Sequence, residues 1–309
     1  MFLEIKKGRF MENKYVNNVF ESMHPLSVFV YFMAVCVITM FSIHPMIMVI
    51  SFMSGIAVNM LQRGVRSALI TLAAAVPLIL LLTLTNPVFV HSGRDVLFFL
   101  LGIPVTLQAL LYGLNMGVMI AAVIIHFRNY SFGMSMGKTM FLIGRILPST
   151  ALLISVTVKN IEQFGRRYLE ISDAQKALGY FSEEKKSKNL IKRLKVFFVL
   201  VSCALEDSVE CAVSMRAKGY GTGRRKSSLR HRFTSGDTVF VTSIAVFAGA
   251  TLVLMGKGYG DFDFYPVADK ILFGVPDTVM YAAFFMLTFL PVVRSLREGL
   301  RWKYLMSKI

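Results

Sequence analysis

Two short stretches carry the residue types that phosphate chemistry uses. GMSMGKT at 133–139 offers glycines, a lysine and a hydroxyl, and GYGTG at 219–223 has the glycine density of a nucleotide turn. Neither has the right spacing. A P-loop needs four residues between its glycines so that the turn wraps the β-phosphate; Gly133 and Gly137 enclose only three, and no β-rich segment precedes them. The glycines at 219–223 follow a helical stretch, where a dinucleotide fold requires a strand. His24, His44, His91, His126 and His231 are scattered without paired metal-ligand spacing and read as interfacial or structural. Cys36, Cys203 and Cys211 also lack metal spacing and read as buried or inert thiols. The sequence therefore predicts no catalytic residue, no metal site and no cofactor.

A different pattern remains. AQKALGY (174–180) and SMRAKGY (214–220) both finish Ala-x-Gly-Tyr, 40 residues apart. Glycine just past the last turn supplies the left-handed residue that closes many helices. Two helix ends made alike predict two similar docking events, with coincidence of two caps as the plain alternative. Arg224, Arg225 and Lys226 follow the second end. A cation run of this kind reads equally as a lipid-facing surface or as a protein contact.

The elements that must carry these ends are apolar. Of 309 residues, 55% are hydrophobic and only 17% charged, too little charge to cover a soluble domain of this size. The continuous apolar runs are long enough to cross the hydrocarbon layer as helices and do not alternate as barrel strands do. We expect an all-α polytopic membrane protein with spans near 25–42, 45–61, 68–85, 105–127, 238–256 and 271–293. Lys6, Lys7, Arg9 and Lys14 precede the first run without a small-residue cleavage site, which reads as no cleavable signal. Arg63 and Arg66 follow the second span, and the tail from Arg294 carries five cations against one acid. The loops 86–104 and 257–270 are poorly cationic. The positive-inside rule then places both termini in the cytoplasm. Residues 139–158 are apolar but interrupted by Arg145 and Pro148, and are expected in or near the interface.

From Lys159 to Arg232 the composition changes, with 17 of the 34 Lys and Arg against 8 of the 18 acids. This reads as a cytoplasmic helical module, with helices near 159–178 and 188–218. The corresponding division is 1–127 for N-terminal spans, 128–235 for the interfacial helix and coupling helices, and 236–309 for C-terminal spans and basic tail. The net charge of +16 is explained by cationic loops and anionic lipid at the cytoplasmic face, without nucleic acid. Residues 26–60, 68–90 and 238–256 contain no Asp, Glu, Lys or Arg. Proton pumps and ion-coupled carriers place ionisable groups there, so a substrate path through this bundle is disfavoured.

The chain resembles the transmembrane T component of energy-coupling-factor (ECF) transporters, the group that includes the CbiQ proteins. The likeness runs through His24-Pro25-Leu26, Asn86-Pro87 with Phe89, His91 and Gly93, and Leu107-Gln108-Ala109-Leu110 with Tyr112-Gly113. It continues through Gly144-Arg145 with Pro148, Ala174-Gln175, and Ser214-Met215 with Gly219-Tyr220-Gly221 and Arg225. The resemblance implies a bacterial or archaeal plasma-membrane subunit joining two cytoplasmic ABC-type ATPases to a membrane S component that captures a vitamin or metal ion. ATP would be hydrolysed by the partners. Two coupling helices would each end in an Ala-Arg-Gly-like motif seated on one ATPase: Ala177-Leu178-Gly179 and Ala217-Lys218-Gly219, with Arg216, Arg224 and Arg225 as further contacts. The sequence departs from the pattern at both, with Leu178 and Lys218 where the family has arginine. Lys218 keeps the charge without the planar fork; Leu178 loses it, leaving an apolar contact or one supplied by Lys176. The rival readings are a diverged scaffold that anchors cytoplasmic partners without transport coupling, a stand-alone permease, and a membrane-embedded enzyme. A permease would need ligand-binding polar groups within the spans, of which few are visible, and an enzyme would need paired acids or histidines near one face, which the sequence does not offer.

Overall fold

The computed structural model describes residues 20, 22–90, 93–100, 103–179, 186–220, 232–269 and 274–306. In chain order its elements are α1 (Pro25–Phe41), α2 (Pro45–Arg63), α3 (Val65–Phe89), β1 (Val96–Leu100), β2 (Ile103–Thr106), α4 (Leu107–Gly133), α5 (Met136–Ile146), α6 (Pro148–Ala177), α7 (Lys186–Ala217), α8 (Ser235–Gly256) and α9 (Val275–Met306). Among the described residues the helices α2, α3, α4, α8 and most of α9 are long and apolar enough to cross a membrane, and α1 is a shorter apolar helix. They divide into two compact units, one of residues 1–135 with 231–309 and one of residues 136–230.

In the first unit α4 packs against α3, α2 and α1, while α9 packs against α8 and α2. The two opening helices start by the same device. The Nδ1 of His24 accepts the Leu26 N–H at 3.2 Å, the Nδ1 of His44 accepts the Met46 N–H at 3.2 Å, and a proline follows each histidine. The imidazole thus replaces the usual N-cap oxygen, and proline supplies the first helical φ without forfeiting a bond. Along α4, small residues let the backbones close. A Cβ on Gly113 would stand 3.1 Å from the Thr83 carbonyl oxygen of α3, the group that Pro87 deprives of its helical donor.

Hydrocarbon offers no partner for a polar atom, so the seams are tied by side-chain amides and hydroxyls. Asn86 Nδ2 donates to the Ala109 carbonyl at 2.6 Å, Asn115 Nδ2 to Ile43 at 2.6 Å, and Asn129 Nδ2 to Gly55 at 2.8 Å. Tyr31 Oη donates to the Thr288 carbonyl at 2.8 Å, tying α1 to α9. Thr39 and Ser51 pair at 2.8 Å, and His126 Nε2 lies 3.2 Å from the Ser51 hydroxyl.

The expected six spans are present as helices, with α4 running on past 127 to Gly133. Two details differ from the sequence expectation. The loop after α3 contains a short antiparallel hairpin, β1 with β2. The helix expected from 159 begins instead at Pro148 and continues unbroken to Ala177. Proline at the first helical position starts a helix as readily as it interrupts one.

The second unit is α5, α6 and α7. Leu147 breaks the chain between α5 and α6, its N–H bonded to the Ile143 carbonyl at 2.7 Å. Arg145 is exposed in the last turn of α5.

Candidate functional site

The second unit carries the two matched ends. At the close of α6 the Leu178 N–H reaches the Ala174 carbonyl at 3.1 Å and the Gly179 N–H reaches Lys176 at 2.9 Å. At the close of α7 the Lys218 N–H reaches Ser214 at 3.1 Å and the Gly219 N–H reaches Arg216 at 2.9 Å. The bonds are the same at an offset of 40 residues. Gly179 has φ +71° and Gly219 φ +75°, a left-handed conformation in which a Cβ would meet the neighbouring carbonyl. The Tyr220 N–H then closes onto Met215 at 3.0 Å.

This closure exposes the whole of each end. Ala177, Leu178 and Gly179 are exposed, as are Arg216, Ala217, Lys218 and Gly219. Leu178 is 82% exposed. Arg224 and Arg225 lie outside the described residues. The matching bonds also join a pair that the sequence reading did not: Lys176 and Arg216 occupy equivalent places, and each carbonyl takes the glycine N–H. A cation in the last turn complements the negative end of the helix dipole. Laying AQKALGY over SMRAKGY places one over the other, so the signal was present in the repeat. Lys176 Nζ is 2.8 Å from Asp173 Oδ1 on its own helix, which leaves Leu178 as the distinctive group at that tip.

The two helices are clasped between their ends. Arg167 Nη1 of α6 bonds Asp207 Oδ2 of α7, again residues 40 apart. A cleft of about 390 Å³ beside this pair is lined by residues 156–164 of α6 and 207–215 of α7. The start of α6 therefore lies along the close of α7, and the helices run in opposite directions. Ala177 follows Arg167 by ten residues and Ala217 follows Asp207 by ten. Each tip thus lies ~15 Å along its own axis from the clasp, on opposite sides of it. A helix pair with a matched knob at either end can engage two separate sockets.

A second group of motif residues meets in the first unit. Gln108 Nε2 donates to Asp95 Oδ2 at 2.8 Å, and the Asp95 N–H returns to Gln108 Oε1 at 3.3 Å. A Cβ on Gly93 would come within 2.6 Å of Thr106 Oγ1. These contacts, with the Asn86 amide on Ala109, seat the hairpin on the end of α3 and α4. His91 lies outside the described residues. No group of three His, Cys, Asp or Glu among the described residues is arranged to hold a metal ion.

Five long apolar helices together with a polar-tied bundle define a multi-pass membrane protein. Residues 17–229 match the family model of the CbiQ cobalt transport proteins. The chain belongs to that family, the T components of ECF transporters, whose members are membrane transport components. No curated protein matches the chain.

Proposed function

We propose that the chain is the coupling scaffold of an ECF-type importer, transmitting ATP-driven motion from two ABC-type ATPases to a substrate-binding S component for a metal ion or vitamin. The observation that carries this reading is the identical closure of two exposed helix tips on opposite sides of one clasp. Ala177-Leu178-Gly179 meets one ATPase through an apolar knob, and Ala217-Lys218-Gly219 with Arg216 meets the other through a charged one. The unequal tips favour two different ATPase chains. The chain itself hydrolyses nothing.

We further place both termini in the cytoplasm of a bacterial or archaeal cell, with the chain in the plasma membrane. In the first unit, Arg63, Arg128, Arg294 and Arg297 lie toward one end of α2, α4 and the apolar part of α9, while Asp95, Asp261, Asp263 and Asp269, with Arg94 and Lys257, lie in the opposite connections and Asp277 in the first turn of α9. This segregation supports the orientation by the positive-inside rule. Arg224 and Arg225 are proposed to contact an ATPase or anionic lipid at that face.

Tagged protein recovered from detergent-solubilised membranes tests the coupling role, wild type beside a Leu178→Glu, Lys218→Glu double variant. The reading predicts ABC-type ATPases with the wild type and their loss from the variant. Equal recovery by both would move the contacts elsewhere. No ATPase with either would overturn the transporter reading in favour of a scaffold without transport coupling.

A further inference from the structure

The first unit has an open groove of about 560 Å³ between α8 and α9 that the coupling role leaves unused. Its walls are mostly apolar, Val239 and Phe240 from α8 and Leu290 and Val293 from α9, with Ser235 and Ser243 beside them. One end is cationic, formed by Arg294 and Arg297 a turn apart on α9. Arg294 is held in place. Its guanidinium lies 3.9 Å from the buried Asp237 carboxylate, donates to the Gly236 carbonyl at 3.4 Å and sits over the Phe240 ring at 5.7 Å. Arg297 is exposed, and no carboxylate among the described residues pairs with it. Asp237 faces the first arginine, and the second presents an exposed guanidinium at the mouth.

From these features we infer that the groove binds one anionic phospholipid, with its phosphodiester on Arg297 and an acyl chain along Val239, Phe240, Leu290 and Val293. Leu290 and Arg297 are seven residues apart, ~10 Å along the helix, which spans the step from headgroup depth into hydrocarbon. A guanidinium supplies paired donors to phosphate oxygens. The apolar walls distinguish a lipid from a soluble anion, which would leave them bare. The charge distinguishes an anionic lipid from a zwitterionic one, whose own ammonium would face the same arginine. The inference rests on the membrane reading and is independent of ATPase coupling, so failure of the pull-down would leave it standing.

The full chain, stripped of lipid in a neutral detergent, would be given dioleoylphosphatidylglycerol, dioleoylphosphatidylcholine or inorganic phosphate. Retained lipid would be counted by native mass spectrometry, and thermal stability followed alongside. Wild type is expected to retain one phosphatidylglycerol in preference to phosphatidylcholine and to gain thermal stability from it alone. Arg297→Gln should reduce that retention about fivefold, the effect of one cation near an anionic headgroup. Val293→Trp should reduce it by filling the groove with both arginines intact, and Arg66→Gln should not. Equal retention of both lipids, or no loss in either groove variant, would overturn the inference. Stabilisation by inorganic phosphate equal to that by phosphatidylglycerol would overturn the lipid in favour of a soluble anion.

Discussion

At the residue scale the two glycines determine whether the tips exist. Each holds φ above +70°, where a branched side chain costs ~1–2 kcal/mol. Gly219→Val should therefore unwind the end of α7 and reduce ATPase recovery in the pull-down. Gly165→Ala, inside α6 with nothing within 4 Å of its added Cβ, should leave recovery unchanged and stabilise its helix by up to ~1 kcal/mol. Equal loss in both variants would mean that the tip geometry is irrelevant. His44 sets a pH dependence. Its Nδ1 accepts the Met46 N–H, so the ring proton sits on Nε2 and points to Tyr281 Oη at 2.9 Å. Burial lowers its pKa below the ordinary histidine range, against the opposing charge of Asp277. A group held neutral in the fold adds stability above its unfolded pKa of ~6.5, and that stability is lost as pH falls through the folded value. Thermal stability in detergent should decline on acidification from pH ~6.5. His44→Asn, which keeps an N-cap acceptor and cannot titrate, should flatten that decline; an unchanged slope would assign it to other groups.

At the element scale the clasp between α6 and α7 is a single half-exposed ion pair. Such pairs contribute a few tenths to ~1 kcal/mol, so Arg167 with Asp207 fixes the alignment of the two helices more than it stabilises them. In a double-mutant cycle, Arg167→Ala and Asp207→Ala should couple by about 0.5 kcal/mol, read from proteolysis of the second unit; zero coupling would show that packing alone sets the crossing. Gly113→Leu should separate α3 from α4 and sharply lower thermal stability, because its Cβ would already be 2.9 Å from Asn86 Cβ. Much of this level was legible in sequence. Long charge-free runs predicted the spans, and the Ala-x-Gly-Tyr repeat predicted both tips. The continuation of α6 back to Pro148 was not legible, because apolar residues 148–158 and charged residues 159–177 look like two elements when only composition is read. The β1–β2 hairpin was missed for a related reason, since four or five apolar residues do not reveal their period. The Arg167–Asp207 clasp joins residues that only the crossing brings together, although their 40-residue separation repeats that of the tips.

At the scale of the whole molecule, the family match and the apolar helices establish a membrane transport component. Residues 26–60, 68–90 and 238–256 hold no Asp, Glu, Lys or Arg to bind an ionic cargo, and the matched tips are the two attachment points proposed above. In the proposed coupling role, motion delivered at Leu178 and Lys218 would turn α6 and α7 about their clasp. The most direct test is a distance measurement between spin labels at positions 178 and 218, after replacement of Cys36, Cys203 and Cys211, in the complex with its ATPases. The account predicts a separation of roughly 30 Å for an antiparallel pair that changes when ATP is bound and returns after hydrolysis. A separation that stays fixed while the ATPases turn over would contradict transmission through these two helices.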